Sequence, residues 1–499
     1  LAKPPGMPWR DYLIMLLQMA AEVEHGLMVQ YLFAAYSVDP ERAPEAKRSG
    51  IRKWQEAILT VAREEMGHLL TVQNILCLLG GPASFLRRDF PWDTPFYPFP
   101  FRLQRLTRET LAMFVFAEMP DEIFRVLTAD SLDEETLRRL SHLLADGEVP
   151  DPAIHEGAEC HQDHRKARDF LKHDLPFIRS TVSPLLNAEG KRPVGEIYEV
   201  LLQIVGDPEK IPDSDFRAGS YDFQASWDDW GRGYKPPPTT PHGSTPPPGS
   251  RKSNVIILQA GTRTEALDAL RQVMGQGEAP DLSTLGQGEP EASHFARFAN
   301  VFREYRHWIV EAQADWQPAR DVATNPSTVP DTAYLPAGST RITHPAALKW
   351  AHLFNLRYRL LLTYLTHTFR ISRVLDPGVP NARGAVMHRI FGEMYNLKSL
   401  SGILVQLPIT GPGDPQRAGP PFEMPYSLVL PPDEPDCWRL YRDLLDTSLE
   451  LGKSLLEDYE KLHSMPPEGR EYLRALRNLD LNQRDWLDQM PGGRACPSS

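Results

Sequence analysis

The sequence predicts an all-α protein built on a four-helix bundle, with long loop insertions and a C-terminal helical extension. Three observations support this class. Apolar residues recur at helical spacing through most of the chain, and only one short run reads as β-like. Two long helices near the start of the chain each carry a carboxylate inside an apolar stripe. Glu-x-x-His spacing, which puts both side chains on one helix face, occurs twice on such stripes.

The first predicted helix runs from Trp9 to Ser37 and stops before Asp39-Pro40, because proline disfavours helix in the residue before it. Glu24 lies within its apolar stripe. The neighbours of Glu24 at steps of three, four and seven residues are all apolar or aromatic: Leu17, Ala20, Ala21, Leu27, Met28 and Tyr31.

The second predicted helix runs from about Ala46 to Leu79 and ends at Gly80-Gly81-Pro82, a C-cap signal followed by a helix breaker. Glu65 and His68 lie together on its apolar stripe. A buried, ionised carboxylate costs several kcal/mol unless it is compensated. We therefore expect Glu65 to be paired, protonated or bound to a metal ion.

A third candidate helix runs from Val194 to Val205 and begins after a proline. Glu196 borders its apolar face, whereas Glu199 lies on the opposite side. If this helix supplies a ligand, we expect it to be Glu196.

The fourth candidate helix begins near Pro290 and carries Glu291 and His294 on an apolar and aromatic stripe. This is the second inward Glu-x-x-His pair. Glu278, the last residue of a helix that begins at Thr262, extends the inward line of that helix. Glu278 could therefore replace or supplement Glu291, and the sequence leaves this choice open.

Together the candidates follow the order in which carboxylate-bridged dimetal bundles supply their ligands. Carboxylates bridge two hard cations, while one imidazole per metal fixes the geometry and leaves positions open for dioxygen. We predict two iron ions, with manganese as the alternative, and dioxygen as co-substrate. The predicted metal ligands are Glu24, Glu65, His68, Glu196, Glu278, Glu291 and His294.

Tyr31 is the one candidate catalytic side chain, as a hydrogen-bond donor at the metal site two helical turns from Glu24. An ordinary core tyrosine is the simpler interpretation. Any single ligand candidate could likewise be a carboxylate paired with arginine or a hydrogen-bonded core histidine. Several buried carboxylates on converging helices would, however, repel one another without a cation between them.

Composition excludes some classes of partner. The formal net charge is -12 and no basic stripe appears, which argues against nucleic acid. No uninterrupted run of apolar residues approaches membrane-spanning length, so we expect no membrane partner. Four widely separated cysteines and no visible signal peptide favour a reducing, cytoplasmic location. We expect a small-molecule substrate, and a homodimer is compatible with the sequence without being required by it.

Pro-rich stretches divide the chain. We predict that residues 1–235 and 254–335 form the two parts of the bundle, interrupted by a Pro-rich excursion over 236–253. A short β-like run begins the second part at Asn254 to Leu258. We predict that residues 336–499 form a helical region packed on the bundle.

Several segments of the chain match a known family, namely Glu24-His25 with Tyr31-Leu32, Glu64 to His68 with Asn74, Gly80-Gly81-Pro82, Gly195 to Tyr198, Gly277-Glu278, Ser293 to Phe298 and, less closely, Ala418 to Glu423. Through them the chain resembles, over about residues 10 to 310, the ferritin-like family that includes the iminophenyl-pyruvate dimer synthases of bisindole biosynthesis. One departure is Gly275, at a position where the family tends to carry Glu before the sequence Gln-Gly-Glu.

The resemblance implies metal-dependent, oxidative handling of small amino-acid-derived molecules. With the predicted ligands, it leads us to expect a dimetal oxidase or oxygenase of secondary metabolism, comparable to an imine-dimer synthase. The alternative is a non-catalytic metal-binding or scaffold protein with the same bundle.

Overall fold

The computed structural model describes the chain in segments that form two compact units. One unit, the bundle unit, comprises Leu1–Ser84, Trp92–Phe101 and Leu106–Ala319. The other, the C-terminal unit, comprises Phe85–Pro91, Arg102–Arg105 and Arg320–Ser499. The described residues are 3–94, 97–120, 137, 140, 141, 144, 163–186, 194–230, 255–277, 293–373, 382–424, 428–461 and 465–490.

The bundle unit is helical, as predicted. Its short helical turns are Pro40–Arg42, Asp213–Asp215 and Ala218–Phe223 (3₁₀) and Phe170–Asp174 and Arg306–Glu311 (π). Its α-helices are α1 (Trp9–Ser37), α2 (Glu45–Leu78), α3 (Arg108–Ala117), α4 (Asp163–Asp169), α5 (Leu175–Val182), α6 (Gly195–Val205), α7 (Trp227–Trp230), α8 (Arg263–Gly277) and α9 (His294–Tyr305).

The C-terminal unit is also helical, with a 3₁₀ turn at Thr332–Tyr334. Its two short strands, β1 (Pro326–Ser327) and β2 (Thr340–Arg341), pair in parallel. Its helices are α10 (Pro345–Thr368), α11 (Ala382–Leu404), α12 (Glu434–Lys461) and α13 (Pro467–Leu487). The all-α prediction with a C-terminal helical extension is therefore confirmed. Residues 320–335 lie in this unit. The predicted division of the chain after residue 335 stays a prediction, and so does the packing of the C-terminal region on the bundle.

Helices α1 and α2 form the most extensive helix pair in the bundle unit. The apolar stripes predicted around Glu24 and Glu65 face inward, and both carboxylates are 2% exposed. The end of α2 follows the predicted C-cap. Gly80 adopts a φ of 67°, and the amides of Gly80 and Gly81 donate to the carbonyls of Cys77 and Leu76. This Schellman arrangement satisfies carbonyls that the last turn leaves without helical partners.

The predicted β-like run is not a strand within its described part, residues 255–258. Its backbone is instead held by side chains of α2. The Thr71 hydroxyl donates to the Ile256 carbonyl and accepts from the Leu258 amide, and Asn74 donates to the Leu258 carbonyl. Gly67 permits the close approach, because a Cβ there would lie 2.6 Å from the Ile256 carbonyl oxygen. Polar side chains of a helix thus replace the hydrogen bonds of a neighbouring strand.

Among the described residues, α1 is the one helix with the length and apolar character of a membrane span. In the structure, 67% of its most apolar window is buried inside the protein. The apolar surface of α1 is thus largely covered by packing within the bundle unit.

Candidate metal centre

Five buried ionisable side chains converge between four helices of the bundle unit. They form two groups of potential metal ligands that share one residue, Glu65. Each of the five is at most 4% exposed. Glu24 comes from α1, Glu65 and His68 from α2, Glu118 from the residue after α3, and His294 from the first position of α9.

The two carboxylate oxygens of Glu65 face opposite halves of the cluster. Oε2 lies 2.9 Å from Nδ1 of His68, and Oε1 lies 2.9 Å from Nδ1 of His294. One further carboxylate completes each half. Glu24 Oε2 lies 3.5 Å from His68 Nδ1, and Glu118 Oε2 lies 3.6 Å from His294 Nδ1. The centroids of the two imidazole rings are 5.5 Å apart. The cluster therefore has two similar halves related through a shared carboxylate.

A buried tyrosine fixes the outer carboxylate in each half. Tyr198 of α6 donates to Oε1 of Glu24, and Tyr31 of α1 donates to Oε1 of Glu118. In both cases the other carboxylate oxygen, Oε2, is the one directed at the histidine. Each tyrosine thus leaves one carboxylate oxygen available toward the centre of the cluster.

The far nitrogens of the two histidines have different partners. Nε2 of His68 lies 2.9 Å from the side-chain oxygen of Gln276, whereas Nε2 of His294 lies 2.7 Å from Glu64. Both oxygens of Glu64 also accept from Arg297 at 2.8 Å. An acceptor at Nε2 favours the tautomer whose Nδ1 lone pair points to the cluster, as outer partners of metal-bound histidines do. The acceptor is neutral for His68 and anionic for His294.

Burial and mutual repulsion disfavour ionisation of the outer carboxylates. Burial first, and then the charge of Glu65, raises the pKa of Glu24 to about 8. The same two causes raise the pKa of Glu118. For Glu65 burial acts in the same direction, but the interactions with His294 and His68 outweigh it and lower the pKa. Glu65 is thus the carboxylate of the cluster that is most readily ionised, because both histidines lie beside it.

The histidines show the complementary behaviour. Burial lowers the pKa of His68, but hydrogen bonds to Glu24 and Glu65 outweigh it and raise the pKa to about 10. The pKa of His294 is raised well above its usual value despite burial, because Glu65, Glu118 and Glu64 surround it. Without metal ions, protons on His68 and His294 therefore compensate the charge of the carboxylates, and metal ions could take over that role.

The donor set fits a pair of metal ions. Three buried atoms of the cluster make no hydrogen bond of good geometry, although each faces a neighbour of the cluster within 3.5 Å, namely Glu24 Oε2, Glu65 Oε1 and His294 Nδ1. All three point into the cluster, where a cation would satisfy them. Buried polar atoms are normally satisfied, so unsatisfied ones in a cluster of hard oxygen and imidazole donors indicate a ligand.

Part of the chain matches the model of a known protein family. The model of the ferritin-like family matches residues 17–175, a range that includes most of α1, all of α2 and Glu118. The family resemblance stated from the sequence is thereby confirmed.

Two characterised enzymes are similar in sequence. Dichlorochromopyrrolate synthase of Lentzea aerocolonigenes is 24% identical over 502 residues, which cover 94% of this chain and 40% of that enzyme. The 2-imino-3-(indol-3-yl)propanoate dimerase of Chromobacterium violaceum is 32% identical over 151 residues, which cover 24% of this chain and 14% of that enzyme. The matches thus span less than half of either enzyme's length.

A crystal structure of a ferritin-like protein from Caulobacter vibrioides is also similar. It shares 18% sequence identity and has a TM-score of 0.37, and the alignment covers 78% of this chain and 95% of that protein.

The bundle unit brings together four of the seven predicted ligands, namely Glu24, Glu65, His68 and His294. Glu196 is half-buried on α6 and belongs to neither group of ligands. On the same helix Tyr198 reaches Glu24 instead. Glu278 and Glu291 lie outside the described residues. Helix α9 begins at His294 with Ser293 as its N-cap, so the predicted helix start near Pro290 is wrong.

Glu118 is the ligand candidate that the sequence analysis missed. It directly follows Ala117, the last residue of α3. The signal was nevertheless present, because stepping back by three, four and seven residues from Glu118 gives Val115, Phe114 and Leu111. This is the same apolar stripe that identified Glu24 and Glu65.

Proposed function

We propose that the chain is a dimetal oxidase or oxygenase, with two iron ions as the leading cofactor and manganese as the alternative. The observation that supports it most is the sharing of Glu65, one oxygen toward each histidine. A carboxylate that serves two positions is the feature by which dimetal bundles hold two ions close together.

In this proposal His68 and Glu24 would hold one ion, His294 and Glu118 would hold the other, and Glu65 would serve both. The metal ions would supply redox chemistry with dioxygen as co-substrate. The protein contributes a dry site, because every ligand is nearly fully buried. Tyr31 and Tyr198 orient the outer carboxylates, so the role proposed for Tyr31 becomes positioning of Glu118.

We further propose a small, amino-acid-derived substrate in secondary metabolism, processed in the manner of an imine-dimer synthase. The support is the similarity to a dimerase whose name specifies an indolyl imino acid and to a dichlorochromopyrrolate synthase. A location in the cytoplasm and a small-molecule substrate, without a nucleic-acid or membrane partner, are parts of the same proposal.

Dioxygen consumption tests the proposal. We expect wild type, reconstituted anaerobically with ferrous iron and supplied with a reductant, to take up dioxygen. Glu65→Ala should lose this uptake, because both metal positions lose their shared ligand. Glu199→Gln is the matched control, since Glu199 is exposed on α6. Equal uptake by wild type and Glu65→Ala would show that the site is not catalytic.

The complete burial of the ligands is the observation that favours the second candidate, a metal-binding protein without turnover. That protein would retain two ions per chain and lose them in Glu65→Ala, yet show no catalytic dioxygen uptake. Metal content and dioxygen uptake together therefore distinguish the two functions.

A further inference from the structure

A second group of potential metal ligands lies in the C-terminal unit and is chemically different from the bundle cluster. It consists of His367 from the last turn of α10 and of Glu434 and Cys437 from the first turn of α12. One ligand atom from each residue lies within 4.8 Å of the other two. We propose that these three residues bind a zinc-class divalent cation, independently of the dimetal site.

Helical spacing explains why the two α12 residues share a face. Glu434 and Cys437 are three residues apart, so their side chains project from the same side of the helix toward the end of α10. Nε2 of His367 lies 2.8 Å from Oε2 of Glu434. A tetrahedral zinc ion with bonds of about 2.0–2.3 Å separates its ligand atoms by roughly 3.5 Å. Small side-chain shifts from the observed positions would therefore suffice.

The histidine is oriented as metal-bound histidines are. Its other ring nitrogen, Nδ1, lies 2.7 Å from the hydroxyl of Tyr441, one helical turn beyond Cys437. The Trp438 ring packs against the imidazole, with centroids 4.9 Å apart. Outer contacts of this kind fix the tautomer and the ring plane, which leaves Nε2 directed at Glu434 and Cys437.

The burial of the group and its ligand charges suit a divalent cation. The side chains of His367 and Cys437 are fully buried, whereas Glu434 is 44% exposed and opens the group to solvent. The carboxylate of Glu434 and a thiolate at Cys437, which loses its proton when a metal binds, would together balance the charge of a divalent cation. Arg370 lies 3.8 Å from Glu434 and is not needed for this balance. Three protein ligands leave a fourth position for water.

The donor types separate this group from the dimetal site. Sulfur is a soft ligand that selects zinc or similar ions, whereas the bundle cluster offers oxygen and imidazole donors. The bundle cluster contains no cysteine. A metal with a thiolate signature would therefore report the C-terminal group alone.

Cobalt(II) is the probe, because thiolate coordination produces an intense charge-transfer absorption. The full chain is stripped with chelator and titrated with cobalt. We expect the thiolate band in wild type, in Glu65→Ala and in Cys77→Ser. In Glu65→Ala, where the dimetal site cannot compete for cobalt, the band should saturate at about one equivalent. Cys77→Ser is the matched control, since Cys77 lies on α2 in the bundle unit. Cys437→Ser should lose the band.

Zinc-dependent stability gives a second readout that a folding defect cannot imitate. The comparison is made in the Glu65→Ala background, where the dimetal site is removed. There, proteins with and without Cys437→Ser should melt at the same temperature in chelator, and only the protein that keeps Cys437 should gain stability on adding zinc. Glu434→Gln in the same background changes a side chain at the exposed edge of the group and should weaken zinc binding at least tenfold. No thiolate band in wild type, or a band that persists in Cys437→Ser, would overturn the proposal. The thiolate band reports the C-terminal group alone, so neither its presence nor its absence bears on the dimetal proposal.

Discussion

At the scale of single residues, Glu65 and the groups around it explain why acidic side chains can occupy an apolar interior. Each carboxylate oxygen of Glu65 faces a histidine, and each outer carboxylate accepts from a tyrosine. These contacts fix the orientation of every candidate ligand before a cation arrives. Preorganisation of this kind is what outer partners contribute to metal affinity.

The choice of Glu118 over Glu196 as a metal ligand is the residue assignment that can be tested most directly. We expect Glu118→Gln to lose about half of the bound metal, because only the half with His294 depends on it. Glu196→Gln is the matched control and should retain the wild-type metal content. Elemental analysis after anaerobic reconstitution measures both. The reverse pattern, with metal lost in Glu196→Gln alone, would restore the assignment made from the sequence.

Residue-level periodicity predicted part of the site and missed part of it for a definable reason. Glu24, Glu65 and His68 lie in the middle of long helices, where the apolar stripe is unambiguous. Glu118, the ligand that was missed, follows the last residue of a short helix. Helix ends are where periodicity is least informative, because few neighbours remain to define a face.

At the scale of elements, the docking of residues 255–258 on α2 replaces a predicted strand. A pattern of Val and Ile residues favours extended backbone. What the pattern could not show is the partner of that backbone. Thr71 and Asn74 supply hydrogen bonds from a helix, and no periodicity rule connects them to a segment more than 180 residues away.

The close approach at Gly67 makes this docking testable. In Gly67→Ala the new Cβ would meet the Ile256 carbonyl oxygen at 2.6 Å and Val255 at 2.9 Å, so the backbone must move. We expect a loss of about 1–3 kcal/mol in the free energy of unfolding.

The matched control for this change is Gly402→Ala in the interior of α11, where no atom lies within 4 Å of the added Cβ. We expect that variant to gain up to about 1 kcal/mol, because alanine favours helix. Chemical denaturation of each variant against wild type measures both effects. Equal changes in the two variants would contradict the packing explanation.

At the scale of the whole molecule, the class of fold could be predicted and its division could not. Helix-period patterning predicted α1, α2 and α6, and the start of α8, to within a few residues of the structure. The separation into two units depends on which helices pack together, and residues 85–91 and 102–105 join the C-terminal unit from within the N-terminal part of the sequence. Local pattern carries no information about such long-range packing.

Stability of the bundle unit should depend on pH through Asp174, at the end of the π turn before α5. It is fully buried, and its Oδ2 has no hydrogen-bond partner. Burial raises the pKa of Asp174 to about 6, although Arg306 opposes the rise. Because this pKa lies above the unfolded value of 3.8, the folded state favours the protonated form. The contribution to stability is therefore complete below the unfolded pKa and is lost as the pH rises through about 6.

Comparison with Asp174→Asn isolates this effect. The difference in unfolding free energy, wild type minus variant, should fall by at most about 1.4 kcal/mol per pH unit between about pH 4 and 6. The asparagine oxygen can still accept from Arg306, so the contact itself is kept. Parallel pH profiles of the two proteins would show that Asp174 does not titrate in this range.

The central claim is that two metal ions lie between the buried acids of the bundle. The most direct measurement is the metal content of the purified chain after anaerobic reconstitution with ferrous iron and removal of loosely bound metal. We predict close to two ions per chain for wild type and close to none for Glu65→Ala. Less than one ion per two chains in wild type would contradict the dimetal account.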